Sequence, residues 1–142
     1  MINGEIGGII YPLNDHNFNI LKKREKPVYV KYPSRAGKHP TKLKQGHLLF
    51  FYLSRKDKSI IGYSKIKEVS IKTPQEVLQH YTRSMQMNDD EFNKYTIKRK
   101  DKKLLVLMLD DIVELEKNIT IDYPITMAGK YISTDEMKRF TK

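Results

Sequence analysis

Apolar positions along this chain follow two periods, and residues 46–71, GHLLFFYLSRKDKSIIGYSKIKEVSI, show the shorter one most clearly. Two runs rich in β-branched and aromatic residues flank the charged connector Arg55-Lys56-Asp57-Lys58, which predicts a β-hairpin. Leu48 to Leu53 is apolar at every position, so both faces of that strand should be covered, as in the wall of a small barrel packed by helices. In the second strand Ile60, Ile61 and Ile66 are apolar, but from Val69 onward the apolar residues take the parity that Lys65 and Lys67 held. A bulge or bend near Lys67-Glu68 reconciles the two halves, because a one-residue slip exchanges the faces.

The same reading orders the rest of the chain. Residues 5–11, EIGGIIY, predict a strand with a bulge or a close backbone approach at Gly7-Gly8, ended by Pro12. Asn14 caps a helix to about Glu25, with Phe18 and Leu21 inward and Lys22, Lys23 and Arg24 in the last turn, where they suit the helix dipole. Pro27 opens a strand over 28–32 in which Val28, Val30 and Tyr32 share one face and Tyr29 and Lys31 the other. Thr73-Pro74-Gln75-Glu76 is a capping box, with Val77, Leu78, Tyr81 and Met85 on one helical face behind it. Asn88-Asp89-Asp90-Glu91 repeats the signature for a helix through Phe92 and Tyr95 to about Lys100. Leu104 to Leu109 is a second central strand, continued through Ile112, Val113 and Leu115, with Asp110 and Asp111 as edge or turn residues. A short strand follows at 119–121, and Ser133-Thr134-Asp135-Glu136 is a third capping box for a final helix.

These elements make one α+β domain spanning 1–142. A chain of that length buries roughly 70% of the surface its unfolded form exposes, enough for a core without staples. It has no cysteine, which excludes disulfides and thiolate metal sites, and with no signal peptide it points to a cytoplasmic setting. The longest apolar runs are far shorter than the ~20 residues of a membrane-spanning helix, so no membrane partner is expected.

Charge changes the picture more than size does. The chain carries +10, and residues 22–44 hold nine cations against Glu25 alone, while the remainder is close to neutral. Such a concentration of like charge is the footprint of a polyanion site. Within it, residues 33–46, PSRAGKHPTKLKQG, form a Pro- and Gly-punctuated basic loop longer than connections usually are, which suits a functional loop. Tyrosines flank it: Tyr29 and Tyr32 before, Tyr52 and Tyr63 on the hairpin, Tyr131 near the end. Arg and Lys on phosphates beside aromatic faces is how single-stranded nucleic acid is commonly held. Tyr32 and Tyr52 read as core, and Tyr29, which shares a face with Lys31, reads as a site residue. His16, His39, His47 and His80 have no metal-ligand spacing, and no phosphate-loop or dinucleotide glycine pattern is present, so neither metal nor cofactor is expected.

The order of these segments carries a resemblance. A helix end, Lys26-Pro27-Val28-Tyr29-Val30-Lys31, the basic loop, Gly46-His47-Leu48-Leu49-Phe50-Phe51-Tyr52 and Ile60-Ile61-Gly62-Tyr63-Ser64-Lys65-Ile66 together resemble the PUA-like superfamily, particularly its ASCH and EVE branches. The closing PITMAGKYI, residues 124–132, resembles an uncharacterised archaeal family of that group. The resemblance implies a PUA-like mixed β pseudo-barrel of five to six strands with surrounding helices, and a cleft that relatives use for RNA or modified bases. The ASCH signature G-x-K-x-x-E-x-R falls on residues 24–31, where Lys26 matches, Arg24 stands for glycine, Tyr29 for glutamate and Lys31 for arginine.

Two functions are carried forward from this reading. The first is an RNA- or other nucleic-acid-binding module, with Arg35, Lys38, Lys42 and Lys44 on phosphates, Lys31 in the same footprint, and Lys26, Tyr29 and Lys130 lining the base-accepting cleft. The alternative is a small hydrolase of a modified nucleoside, in the manner of ASCH amidohydrolases, with a buried Lys26 as the catalytic lysine and Glu68 as acid or base.

Overall fold

The computed structural model describes residues 5–33, 41–53 and 58–141. The connector at 54–57 and the loop residues Arg35 and Lys38 lie outside the described residues. The elements run β1 (Ile6–Pro12), α1 (Asp15–Lys22), β2 (Val28–Lys31), β3 (Leu48–Leu53), β4 (Ser59–Lys72), α2 (Pro74–Tyr81), α3 (Asp89–Thr96), β5 (Leu104–Leu109), β6 (Val113–Thr120), β7 (Lys130–Ser133) and α4 (Thr134–Met137).

The seven strands among the described residues join one sheet in the order β2-β5-β4-β3-β1-β7, with β6 also on β4, where the resemblance implied five or six. β1 and β3 pair in parallel, and the other pairs are antiparallel. The 14-residue β4 is what curls the sheet. Its first half lies between β3 and β6, its second half pairs with β5, and the register shifts between Ile66 and Glu68. That is the bulge required by the parity change around Lys67. β5 and β6 lie end to end along the same edge of β4, so the single run expected from 104 through Leu115 is two strands. Asp110 turns the chain between them: its carbonyl accepts from the Ser64 hydroxyl at 2.7 Å and its carboxylate accepts from the Asp111 N–H at 3.0 Å.

Each face of the curled sheet has its own apolar cluster. Inside lie Tyr11, Tyr29, Leu49, Phe51, Leu53, Leu105 and Leu107, closed at one end by Phe18 and Leu21 of α1. Outside β2 and β5, the residues Val28, Val30, Tyr32 and Val106 pack on Val77 of α2, Met85 and Phe92 of α3. Outside β1 and β3, Ile10, Phe50 and Tyr52 meet Ile132, Phe140 and Ile121. β3 is therefore covered on both sides, as its unbroken apolar sequence demands.

Local signals set the element ends. Asn14, Thr73, Asn88 and Ser133 each accept a backbone N–H at the start of a helix, and at Thr73 and Asn88 the glutamate three residues on completes the reciprocal bond. Each such cap stabilises by about 1 kcal/mol. Glu136 does not reciprocate in the structure; its carboxylate accepts from the Tyr123 hydroxyl at 2.6 Å. The helices are shorter than their apolar patterns: α1 ends at Lys22 rather than near Glu25, α3 at Thr96 rather than near Lys100, and Met85, beyond α2, is buried from a non-helical segment. At Gly8 the strand comes so close to β3 that a Cβ would stand 2.2 Å from the Leu48 carbonyl oxygen, and the β1–β7 register shifts between Ile6 and Gly8.

Candidate nucleic-acid interface

β2 and β7 are the two ends of the sheet order, and near them opens a cleft of about 410 Å³. Its wall includes Pro12 at the end of β1, Leu13 after it, Asn14 and Asn17 at the start of α1, Tyr29 and Lys31 of β2, Gln86, Tyr95 of α3 and Met127. Among the described residues, no carboxylate lines it. The outer edge of β2 is closed by the segment after α2. The Val28 N–H donates to the Ser84 carbonyl at 2.8 Å, and the buried Gln86 amide both accepts from the Val30 N–H at 3.0 Å and donates to the Val30 carbonyl at 2.7 Å. The side chain thus replaces a missing strand, because buried backbone groups need partners. Asn17 donates to the Gln86 carbonyl at 2.9 Å and to Glu91 at 3.1 Å, tying α1 to α3 across the rim.

Among the described residues, Lys31 is the cleft's one charged lining residue. It is 8% exposed, its Nζ lies 4.2 Å from the centroid of the Tyr11 ring, and it donates to the Met127 carbonyl oxygen. Desolvation lowers its pKa from the ordinary 10.5 to about 8. Tyr29 walls the cleft but does not stand free in it: it is 4% exposed, stacked on Tyr11 at 5.5 Å and edge-on to Phe51 at 6.5 Å. Burial pushes the phenols of both Tyr11 and Tyr29 up. The shared parity of Tyr29 and Lys31 did bring them to one cleft, yet the ring of Tyr29 belongs to the core as much as Tyr32 and Tyr52 do.

The other residues singled out in the sequence separate. Lys26 is exposed and lines a second recess of about 190 Å³ with Glu25, Lys67, His80, Asp110 and Asp111. The burial required of a catalytic Lys26 is absent there and is found at Lys31. Glu68 is exposed on β4, opposite Met108, and does not line that recess. Lys130 is exposed and its Nζ lies 5.2 Å from the Tyr123 ring, on the side of the sheet away from Lys31. Lys26 and Lys130 therefore do not join Tyr29 in one cleft. Lys42 and Lys44 are exposed at the end of the basic loop, which is pinned to β7: the Tyr131 hydroxyl accepts from the Lys42 N–H at 2.9 Å and lies 3.2 Å from the Thr41 hydroxyl. Sequence reasoning missed Gln86, Tyr95 and Met127. None has a local signature, since each is defined by a partner far along the chain.

Solved structures share this architecture. ASCH from Zymomonas mobilis matches with a TM-score of 0.74 at 13% identity, over 94% of this chain and 93% of that one. A point mutant of it reaches 0.76 at 12% identity, over 97% and 96%. The N-terminal domain of Staphylothermus marinus McrB matches at 0.54 with 14% identity, over 96% of each. At such identities the likeness shows the fold alone, and that fold is the PUA-like one of ASCH domains. An uncharacterised protein of Methanocaldococcus jannaschii is 28% identical over 104 residues, 66% of this chain and 96% of that one, in keeping with the archaeal resemblance of residues 124–132. The domain of unknown function DUF365 matches residues 6–134, a span that contains all the strands described above, and the chain belongs to that family.

Proposed function

We propose that the chain is a nucleic-acid-binding module in which single-stranded RNA, or a modified base within it, enters the cleft beside Lys31 while the basic loop meets phosphates. One observation carries this reading: the buried amine of Lys31 stands in a cleft whose other polar walls, among the described residues, are amides and tyrosines. With the Asn14 Oδ1 engaged at the helix cap and the Asn17 Nδ2 on Gln86 and Glu91, the Asn14 Nδ2 and the Asn17 Oδ1 are the donor and acceptor for a base edge, and the volume falls within the range of small-ligand sites. Arg35, Lys38, Lys42 and Lys44 supply the phosphate contacts, and the ASCH-like fold is in keeping with that use. Lys26 and Lys130 stand apart and add only to the general positive field.

The test is the salt dependence of single-stranded RNA binding. Each phosphate neutralised contributes about 0.7 to the slope of log affinity against log salt. Lys38→Ala with Lys42→Ala should therefore reduce the slope by roughly 1.4. A double variant that keeps the parent's affinity and slope would remove the basic loop from the interface.

The hydrolase reading is favoured by the same buried amine, whose lowered pKa suits proton transfer near neutral pH. The binding reading expects no turnover of an acetylated nucleoside by the purified protein. Turnover lost in Lys31→Met would reverse the ranking, and turnover lost only in Lys26→Ala would return the chemistry to the second recess.

A further inference from the structure

The whole-chain charge balance conceals a second basic segment. Residues 98–103 read Lys98-Arg99-Lys100-Asp101-Lys102-Lys103, and acids elsewhere, such as Asp89, Asp90 and Glu91, offset them in the total. They form the turn from α3 to β5, where the four lysines are exposed and, among the described residues, no salt bridge engages them or Arg99. Like charges crowded on one turn repel each other and are relieved by a polyanion.

Arg99 fixes this turn against the cleft. Its guanidinium lies 4.1 Å from the centroid of the Tyr32 ring and 4.9 Å from that of Tyr95, and it donates to the Tyr95 carbonyl at 3.1 Å. The Tyr32 hydroxyl donates to the Arg99 carbonyl at 2.7 Å, and the Tyr95 hydroxyl accepts from the Tyr32 N–H at 2.8 Å. Tyr95 also walls the cleft that holds Lys31, and Tyr32 is the residue from which the basic loop departs. The far end of that loop, at Thr41 and Lys42, is held by Tyr131 on β7. Cations thus adjoin the cleft on its Tyr95 side, within it at Lys31, and at the returning end of the loop.

We infer that the 98–103 turn is a second phosphate-contact surface, so that a single-stranded nucleic acid with a base in the cleft continues over this turn. The inference rests on the nucleic-acid reading above and adds the direction in which the strand leaves. Set against two adjoining rings and bonded to the Tyr95 carbonyl, the guanidinium of Arg99 is held in place and can present its remaining donors to a phosphate as a planar fork, which a lysine cannot do.

Length dependence tests it. Lys98→Ala, Lys100→Ala and Lys102→Ala are combined in the full chain, leaving Lys103, which lies in the field of Glu76. All three side chains are exposed, and an unchanged denaturation midpoint confirms that the fold is kept. For a homopolymeric single-stranded RNA of about 16 nucleotides, the salt slope should fall by up to roughly 2, and for one of about 4 it should stay within half a unit of the parent. Arg99→Lys, which keeps the charge, should still weaken the long RNA several-fold. A parent that binds both RNAs, with a triple variant whose slope on the long one is unchanged, overturns the inference and leaves the cleft reading standing. A parent that binds neither RNA overturns both.

Discussion

Phe50→Ala should destabilise the protein by about 3 to 5 kcal/mol, the range for truncating a phenylalanine in a packed core. Phe50 is fully buried on the outer face of β3, between Ile10 of β1 and Tyr63 of β4 in register. Its ring lies 5.6 Å from that of Tyr63 and 5.4 Å from Phe140, the latter edge to face. Phe140 follows the single turn of α4, and a helix of four residues has no stability of its own. The cavity would therefore also loosen the C-terminal segment from the sheet. Chemical denaturation should show the full loss, and hydrogen exchange should show the amides of 138–140 opening more readily than those of β5. A loss under about 1 kcal/mol would mean that β3 is not central.

The second large effect is expected at Lys31. Because its amine titrates near pH 8, binding that depends on its charge should fall as pH rises through 8, approaching one log unit per pH unit. Lys31→Met should bind weakly at all pH values and lose that dependence. Stability should move the other way. The folded pKa lies below the unfolded value of 10.5, so between about pH 8 and 10.5 the unfolded chain keeps a proton that the folded one has released, and stability rises with pH. The rise should be roughly 1 to 3 kcal/mol, towards the lower figure where cleft water screens the amine. Above about pH 10 the raised phenols of Tyr11 and Tyr29 act oppositely, because the unfolded chain ionises first. Lys31→Met should remove the rise, and near pH 7 it should be at least as stable as the parent, since a buried cation is exchanged for an apolar side chain of similar length. A variant with unchanged binding and a parent-like pH profile would show that the amine neither contacts ligand nor lies desolvated.

That a residue can weaken the fold and serve the site bears on how much of this protein is legible in one dimension. Caps and strands were: Asn14, Thr73, Asn88 and Ser133 start helices where their side chains can reach the first free N–H groups, a relation contained within four residues. The unbroken run of β3 required cover on both faces, and the parity change around Lys67 required a bulge, because side chains on a strand can only alternate. Alternation likewise put Tyr29 with Lys31, and Val28 with Val30 and Tyr32.

What alternation could not supply was the identity of whatever each face meets. Lys26 and Lys31, five positions apart, enter different recesses because β2 begins between them, after Pro27, and the recesses are finished by Asp110 and His80 in one case and by Gln86, Tyr95 and Met127 in the other. The break at Asp110, the amide of Gln86 closing the edge of β2, and Arg99 seated on Tyr32 and Tyr95 all depend on pairs separated by 46 to 67 positions, except for the local Arg99–Tyr95 contact. Local sequence determined the elements and their faces because those follow from backbone geometry over a few residues. The curl of β4 decided the cleft, by setting which distant segments meet beside a buried lysine.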